Sequence, residues 1–535
     1  MFIKALLLLL LLGACQQHIT GSGEKAISQA EMEKTIKELS DDKYLGRMPM
    51  TETEPAVTAY IASRMQKIGL EGANQGSYFQ DVPILKVSSV ISPTLDFSTP
   101  SGILNFNKLS EYVSFSRKVN EEPVLDHSEV IFAGFGIVAP DYGRNDFAGL
   151  DVAGKTIIVF VNDPGYGTDS AYFRGHEMTY YGRWTYKFEE AARQGAKACF
   201  IVHETGPAGY PWEVAANNGE TVKLYPAPDN GYRDRCDFEG WISLDAATKL
   251  FSACGLDFSE LKKQAVSPDF APFVLPAKVS GWMKNQFETG VSQNVCGLIR
   301  GSERPDEVLV YTAHWDHLGV GTPVNGDSIY NGATDNASAI AWMLEIARAF
   351  KAGPQPERSV LFLSPTAEES GLIGAEHYVA NPFFPMEKTV GVINSDVILF
   401  LGSFNDITLT GAGYSEMDEL VAAEAAALGR YMDTDPNPEN GMFFRSDHFP
   451  FVKKGVPAIF AKGYTDAAKY GREKTLQKIA EYWQSVYHTP QDEYVPGRDD
   501  LTGLVDDAIL FYRVGRQLTQ KDVWPAWKEG AGFSR

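Results

Sequence analysis

Between residues 28 and 69, apolar side chains recur every three or four positions: Met32, Ile36 and Leu39, then Ala59-Tyr60-Ile61, Met65 and Ile68. That is the period of one helix face, so the pattern predicts two amphipathic helices. Leu45-Gly46-Arg47-Met48-Pro49 between them reads as a turn-rich loop. From about residue 90 to 287 the pattern changes to short β-runs broken by glycine and proline, as at 130–136 and 155–161. One helix is expected there, at 186–194, ahead of a strand at 198–202. From residue 294 onward strands and helices alternate. Strands are expected at 308–312, 359–363, 389–393 and 456–461, and helices at 336–350, 371–379 and 414–428. Such alternation predicts an α/β fold: a mixed, mainly parallel sheet flanked by helices on both faces, with a β-rich unit inserted ahead of it.

The 535-residue length allows roughly three domains, and a composition 44% hydrophobic and 12% aromatic excludes a disordered or fibrous chain. A net charge of −21 argues against nucleic acid and against an anionic membrane surface as partners. The N-terminus reads as an export signal, with Lys4 as its positive region and 5–12 as an apolar run too short to span a bilayer. Leu12-Gly13-Ala14-Cys15 resembles the bacterial lipoprotein cleavage box, which implies lipidation at Cys15 and an exported, membrane-tethered protein in the cell envelope. No other apolar run is long enough for a transmembrane helix. Cys199, Cys236, Cys254 and Cys296 remain. An oxidising envelope permits disulfides, with Cys236 and Cys254 the closest in sequence, and four buried thiols are the alternative.

The chemistry concentrates just past the strand ends. Ala313-His314-Trp315-Asp316-His317 follows the first strand, Thr334-Asp335-Asn336-Ala337-Ser338 opens the next helix, and Glu368-Glu369 follows the second strand. Asp396 and His488 come after in the same manner. Ligand sites of open α/β sheets collect at carboxyl strand ends, and imidazole with carboxylate is a donor set that suits zinc. Five such groups and one spare carboxylate fit a two-metal hydrolase. In a Glu-Glu pair past a strand end, one side chain can ligate while the other faces water and moves a proton. Asp316, two residues after His314, is placed to accept an imidazole N–H. His317 and His448 read as structural or pocket-lining histidines.

These pieces, with Arg445-Ser446-Asp447-His448 and Tyr487-His488-Thr489, resemble the family of co-catalytic two-zinc exopeptidases that includes secreted bacterial aminopeptidases and glutamate carboxypeptidase. The resemblance implies two zinc ions, with His314 and Asp396 on one, Glu369 and His488 on the other, and Asp335 bridging. Glu368 would then be the general base, Tyr487 would polarise the carbonyl, and Arg445 would contact substrate. Gly134-Phe135-Gly136-Ile137, Asp151-Val152-Ala153-Gly154-Lys155 and Gly195-Ala196-Lys197-Ala198 resemble a protease-associated (PA) domain. The implied organisation is a leader at 1–15, a linker at 16–27, peptidase parts at 28–90 and 288–525, an insertion at 91–287 and a tail at 526–535. The leading expectation is an aminopeptidase acting on peptides. A carboxypeptidase or dipeptidase, a glutaminyl cyclase and a receptor-like binding protein are the alternatives. The sequence carries no sign of oligomeric state.

Overall fold

The computed structural model describes residues 22–168, 172–217, 222–228 and 232–535; the leader and Cys15 lie outside them. The two early helices form at Gln29–Leu39 and Glu54–Ile68, the first capped by the Ser28 hydroxyl on the Glu31 amide. The end of the expected linker is already ordered: Ser22–Ala26 is a 3-10 helix whose Glu24 pairs with Arg513 at 2.8 Å.

Strands Arg304–Thr312, Arg358–Ser364, Thr389–Asn394 and Ala458–Lys462 run parallel and form the middle of the main sheet. On one side Phe273–Ile299 joins antiparallel; on the other, Asp406–Thr410 joins antiparallel and carries Tyr431–Thr434 at its far edge. Strand residues alternate between two apolar layers. Leu309, Tyr311, Val360 and Phe362 pack under the early helices with Ser338–Ala352 and Thr502–Leu518. Val308, Val310, Leu361 and Leu363 face the opposite layer with Tyr378 and Phe449. That is the expected fold class, a sheet covered on both faces. The helices Arg472–Ser485 and Thr502–Leu518 and the strand Asp406–Thr410 are additional to the sequence expectation.

The middle of the chain builds a separate sheet, with Thr156–Phe160, Ala198–His203 and Phe238–Ser243 parallel and apolar layers on both of its faces. It holds more helix than the one expected: Trp184–Arg193, Leu244–Ala253 and Phe258–Val266 are all helical. The two sheets share the 27-residue strand Phe273–Ile299, which pairs with Phe79–Ile91 along 13 consecutive residues.

All four described cysteines are free thiols, so the Cys236–Cys254 pair does not form. Cys236 lies in the apolar layer that holds Cys199 and Ile157, and Cys254 packs against the layer that holds Phe200 and Ile158. Successive strand residues face opposite sides, so the sheet stands between the two sulfurs. The C-terminal segment is docked rather than loose: Trp527 donates its indole N–H to the Gly455 carbonyl at 2.8 Å, and the Arg535 guanidinium donates to the carbonyls of Thr389 and Val390.

Candidate metal centre

His314, Glu368, Glu369 and Asp396 stand two to five residues beyond the carboxyl ends of three adjacent parallel strands, and Asp335 lies in the turn that opens the helix Ser338–Ala352. The turn is built by Asp492, 1% exposed, whose carboxylate accepts the amides of Thr334 at 3.0 Å and Asp335 at 2.9 Å. The Asp335–Asn336 peptide bond is cis. Ala367, Val397 and His488, each beside or within the site, hold positive φ of 53°, 53° and 55°. Such conformations are costly for non-glycine residues and persist where surrounding structure over-determines them.

The side chains form two groups joined at Asp335. In the first, His314 Nε2 is 3.4 Å from Asp335 Oδ1, 3.3 Å from Asp396 Oδ1 and 3.9 Å from Glu368 Oε2. In the second, His488 Nε2 is 3.3 Å from Asp335 Oδ2 and 3.1 Å from Glu369 Oε2. Ligand atoms of His314, Asp335 and Asp396 lie within 4.8 Å of one another, as do those of His317, Asp335 and Glu369. The sequence-derived residues therefore meet, with one addition. His317 Nδ1 approaches Glu369 Oε1 at 2.7 Å, so it joins the second group instead of standing apart. His448 sits between the rings of Phe443 and Phe460, at 4.9 and 5.1 Å, and stays a packed histidine.

Asp316 differs from its expected part. Its carboxylate is 3.7 Å from His314 Nδ1, beyond hydrogen-bond range. It accepts the backbone amides of Glu368 at 3.0 Å and Glu369 at 3.4 Å, and so sets the loop that carries both glutamates. The His314 imidazole faces the Asp316 carbonyl at 3.2 Å.

Sequence reasoning overlooked Arg47, read only as part of a loop. It is 1% exposed, and its guanidinium donates to the carbonyls of Leu39, Trp315, Asn331, Gly332 and Asp335. One cation thus ties the first two motifs to the N-terminal helices. A pattern search finds side chains that carry chemistry, whereas the partners of Arg47 are backbone carbonyls up to 288 positions away.

Six carboxylates, from Asp316, Asp335, Glu368, Glu369, Asp396 and Asp447, crowd a largely buried volume with three imidazoles. Burial raises Glu368 well above the ordinary carboxylate range, with Asp396 and Glu369 adding to the effect. Burial opposes ionisation of Glu369 too, yet His488 and His317 hold that carboxylate well below its usual value. Asp335 Oδ1, both Asp447 oxygens and His488 Nε2 lack hydrogen-bond partners. Buried charges of one sign are costly unless paired or bound to metal. A nitrogen-and-oxygen donor set that converges twice on one shared carboxylate fits two divalent cations, zinc best among them.

Tyr487 stacks on His488 with ring centroids 3.7 Å apart, and burial among Asp335, Glu369, Asp396 and Glu368 keeps its phenol protonated. Among the described residues Arg445 forms no ion pair or hydrogen bond with the metal-ligand candidates; burial lowers its pKa, and Tyr210, Tyr487 and Asp435 act on its charge.

The sequence model of Peptidase family M28 matches residues 294–510. Aminopeptidase NAALADL1 of Mus musculus is 33% identical over 183 residues, 31% of this chain and 23% of that protein. Aminopeptidase YwaD of Bacillus subtilis is 28% identical over 218 residues, 38% of this chain and 40% of its own length. The chain thus spans less than half the length of these curated relatives. An aminopeptidase from Aneurinibacillus sp. strain AM-1 shares the fold over 92% of this chain and 95% of that one, with a TM-score of 0.52 and 19% identity. Residues 294–510 of this chain are thus similar to Peptidase family M28.

Proposed function

We propose that the protein is a zinc-dependent aminopeptidase that hydrolyses the N-terminal peptide bond of peptides. The observation that carries this reading is the pair of imidazole–carboxylate groups sharing Asp335, with Glu368 left over beside His314. His314 and Asp396 would hold one zinc, Glu369 and His488 the other, and Asp335 would bridge them; His317 stands ready as a further nitrogen donor to the second. Bound zinc would polarise the scissile carbonyl and bring the pKa of water toward about 7. Glu368 takes the proton from the attacking water at its carboxylate and passes it to the departing amine. Asp316 holds Glu368 in place through the backbone, and Asp492 does the same for Asp335. The Tyr487 phenol supplies an O–H donor beside the cluster, suited to a developing oxyanion.

Cleavage from the amino end is the reading favoured by the similar proteins, whose names describe aminopeptidases. A receptor-like role fits poorly with a complete donor set, and single-metal cyclisation fits poorly with two converging groups. The leader pattern and Cys15 support attachment to an envelope membrane by a lipid anchor. Among the described residues no helix is long and apolar enough to cross a membrane.

Glu368→Gln tests the mechanism. It keeps size and removes the proton carrier, so kcat should fall by about 10²–10⁴-fold while zinc content and melting temperature hold. Turnover at the wild-type rate would remove Glu368 from the chemistry.

A further inference from the structure

Lys462 ends the strand Ala458–Lys462, which runs parallel to Thr389–Asn394 with Phe460 opposite Asn394. Carried two residues past that last pair, the register sets Lys462 alongside Asp396. Among the described residues the ammonium pairs with no carboxylate and donates instead to two successive carbonyls, of Asp396 at 2.5 Å and of Val397 at 2.8 Å. The rings of Phe460 and Tyr464 stand 5.5 and 5.3 Å from the same nitrogen, within the range of cation–ring attraction. Tyr464 is itself held, since Trp483 donates its indole N–H to the Tyr464 hydroxyl at 2.7 Å.

The segment that Lys462 grips is the one that aims Asp396. Val397 holds a φ of 53°, a conformation costly for a β-branched residue, and so marks a turn that its neighbours enforce. The Ser446 hydroxyl donates to Asp396 Oδ2 at 3.0 Å, and the side chains of Asn336 and Ser338 accept the amides of Val397 at 3.4 Å and Ile398 at 3.2 Å. Those contacts hold one carboxylate oxygen and the backbone amides. Lys462 alone among these side chains holds the carbonyls. An ammonium carries three N–H donors and can serve two carbonyls of one turn, where an apolar side chain of equal reach serves none. The result is that Asp396 Oδ1 comes within 3.3 Å of His314 Nε2.

A cation beside a metal site acts in two opposed ways. Its charge repels a divalent ion, so that losing it would tighten zinc binding. Its hydrogen bonds orient a ligand, and losing such outer partners typically weakens metal binding 10–100-fold. We propose that Lys462 is a positioning residue for the metal centre, which holds the backbone of Asp396 and Val397 so that Asp396 faces His314 and thereby strengthens zinc binding at the His314–Asp396 group alone. The inference rests on the two-zinc reading above and adds to it a residue outside the donor set.

The test is calorimetric titration of metal-free protein with zinc, with melting temperature of the metal-free form as the check on folding. Wild type should take up two zinc ions; fewer would sink the two-zinc reading together with the inference. In Lys462→Met one zinc should bind as in wild type and the other about 10–100-fold more weakly. Two zinc ions bound with wild-type affinity, or more tightly, would overturn the positioning role while leaving the two-zinc reading intact. Should Lys462→Met fail to fold, Lys462→Gln, which keeps an N–H donor and removes the charge, decides in its place. Weaker binding of one zinc supports the inference, and equal or tighter binding rejects it. A double-mutant cycle separates positioning from general damage to the site. In the Asp396→Ala protein, adding Lys462→Met should leave the affinity of the remaining zinc unchanged, and a further tenfold loss there would overturn the inference.

Discussion

At the residue scale, the site depends on side chains that hold backbone as much as on those that face the reaction. Asp316, Asp492 and Arg47 between them fix the amides or carbonyls of Glu368, Glu369, Thr334, Asp335 and Trp315. The reactive residues were legible in the sequence because they are rare types in tight motifs past strand ends. Their supports were not, since an arginine or aspartate bound to distant backbone leaves no local pattern. His203 illustrates a second kind of hidden residue. It is 2% exposed, packs against Tyr210, Trp212 and Trp241 at 5.5 to 5.6 Å, and burial lowers its pKa to about 4. Glu213 is the charged group acting on it. The unfolded chain protonates this imidazole below about 6.5, the folded chain only below about 4, so His203 costs stability as pH falls through that window. Melting temperatures measured from pH 7 to pH 4 should therefore fall less steeply in His203→Phe than in wild type. Parallel curves would show that the imidazole ionises alike in both states.

At the element scale, the periodicities that predicted helices and strands located most of the main sheet. They reported nothing about contacts between elements. Gly515 lies inside the helix Thr502–Leu518, where alanine is ordinarily better by about 1 kcal/mol. A Cβ there would stand 1.7 Å from the Tyr311 hydroxyl, which is fully buried and donates to the Phe511 carbonyl at 2.8 Å. Overpacking of about 1–3 kcal/mol outweighs the propensity gain. Gly515→Ala should lower the melting temperature, and a rise would mean that the helix can shift away from the sheet. The same blindness explains the cysteines: nearness in sequence suggested a pair, but the sheet of the inserted unit separates Cys236 from Cys254.

At the scale of the whole molecule, two sheets with their own apolar layers are joined by the strand pair Phe79–Ile91 with Phe273–Ile299 and by the packing of Tyr180 on Phe444 and Phe449. The change from helical to β pattern expected near residue 90 falls at the end of the first of these strands. It could not show that a single strand serves both sheets, because each half of that strand reads locally like any other β-run. The metal-ligand candidates all lie in the unit built on the main sheet, so chelation of zinc should act unevenly. Hydrogen exchange should quicken at 313–318, 333–338, 366–371, 395–398 and 486–492 and stay unchanged in Thr156–Phe160 and Ala198–His203 of the inserted sheet. Uniform quickening would mean that the shared strand couples the two units into one.

The proposed activity belongs to a two-zinc centre that trims peptides from the amino end. Its most direct test is the metal content of purified protein together with mass spectrometry of the products from one peptide of defined sequence. Two zinc ions per chain, with residues lost stepwise from the N-terminus and the C-terminus intact, is the expected result. Loss from the C-terminus, or full activity in metal-free protein, would contradict it.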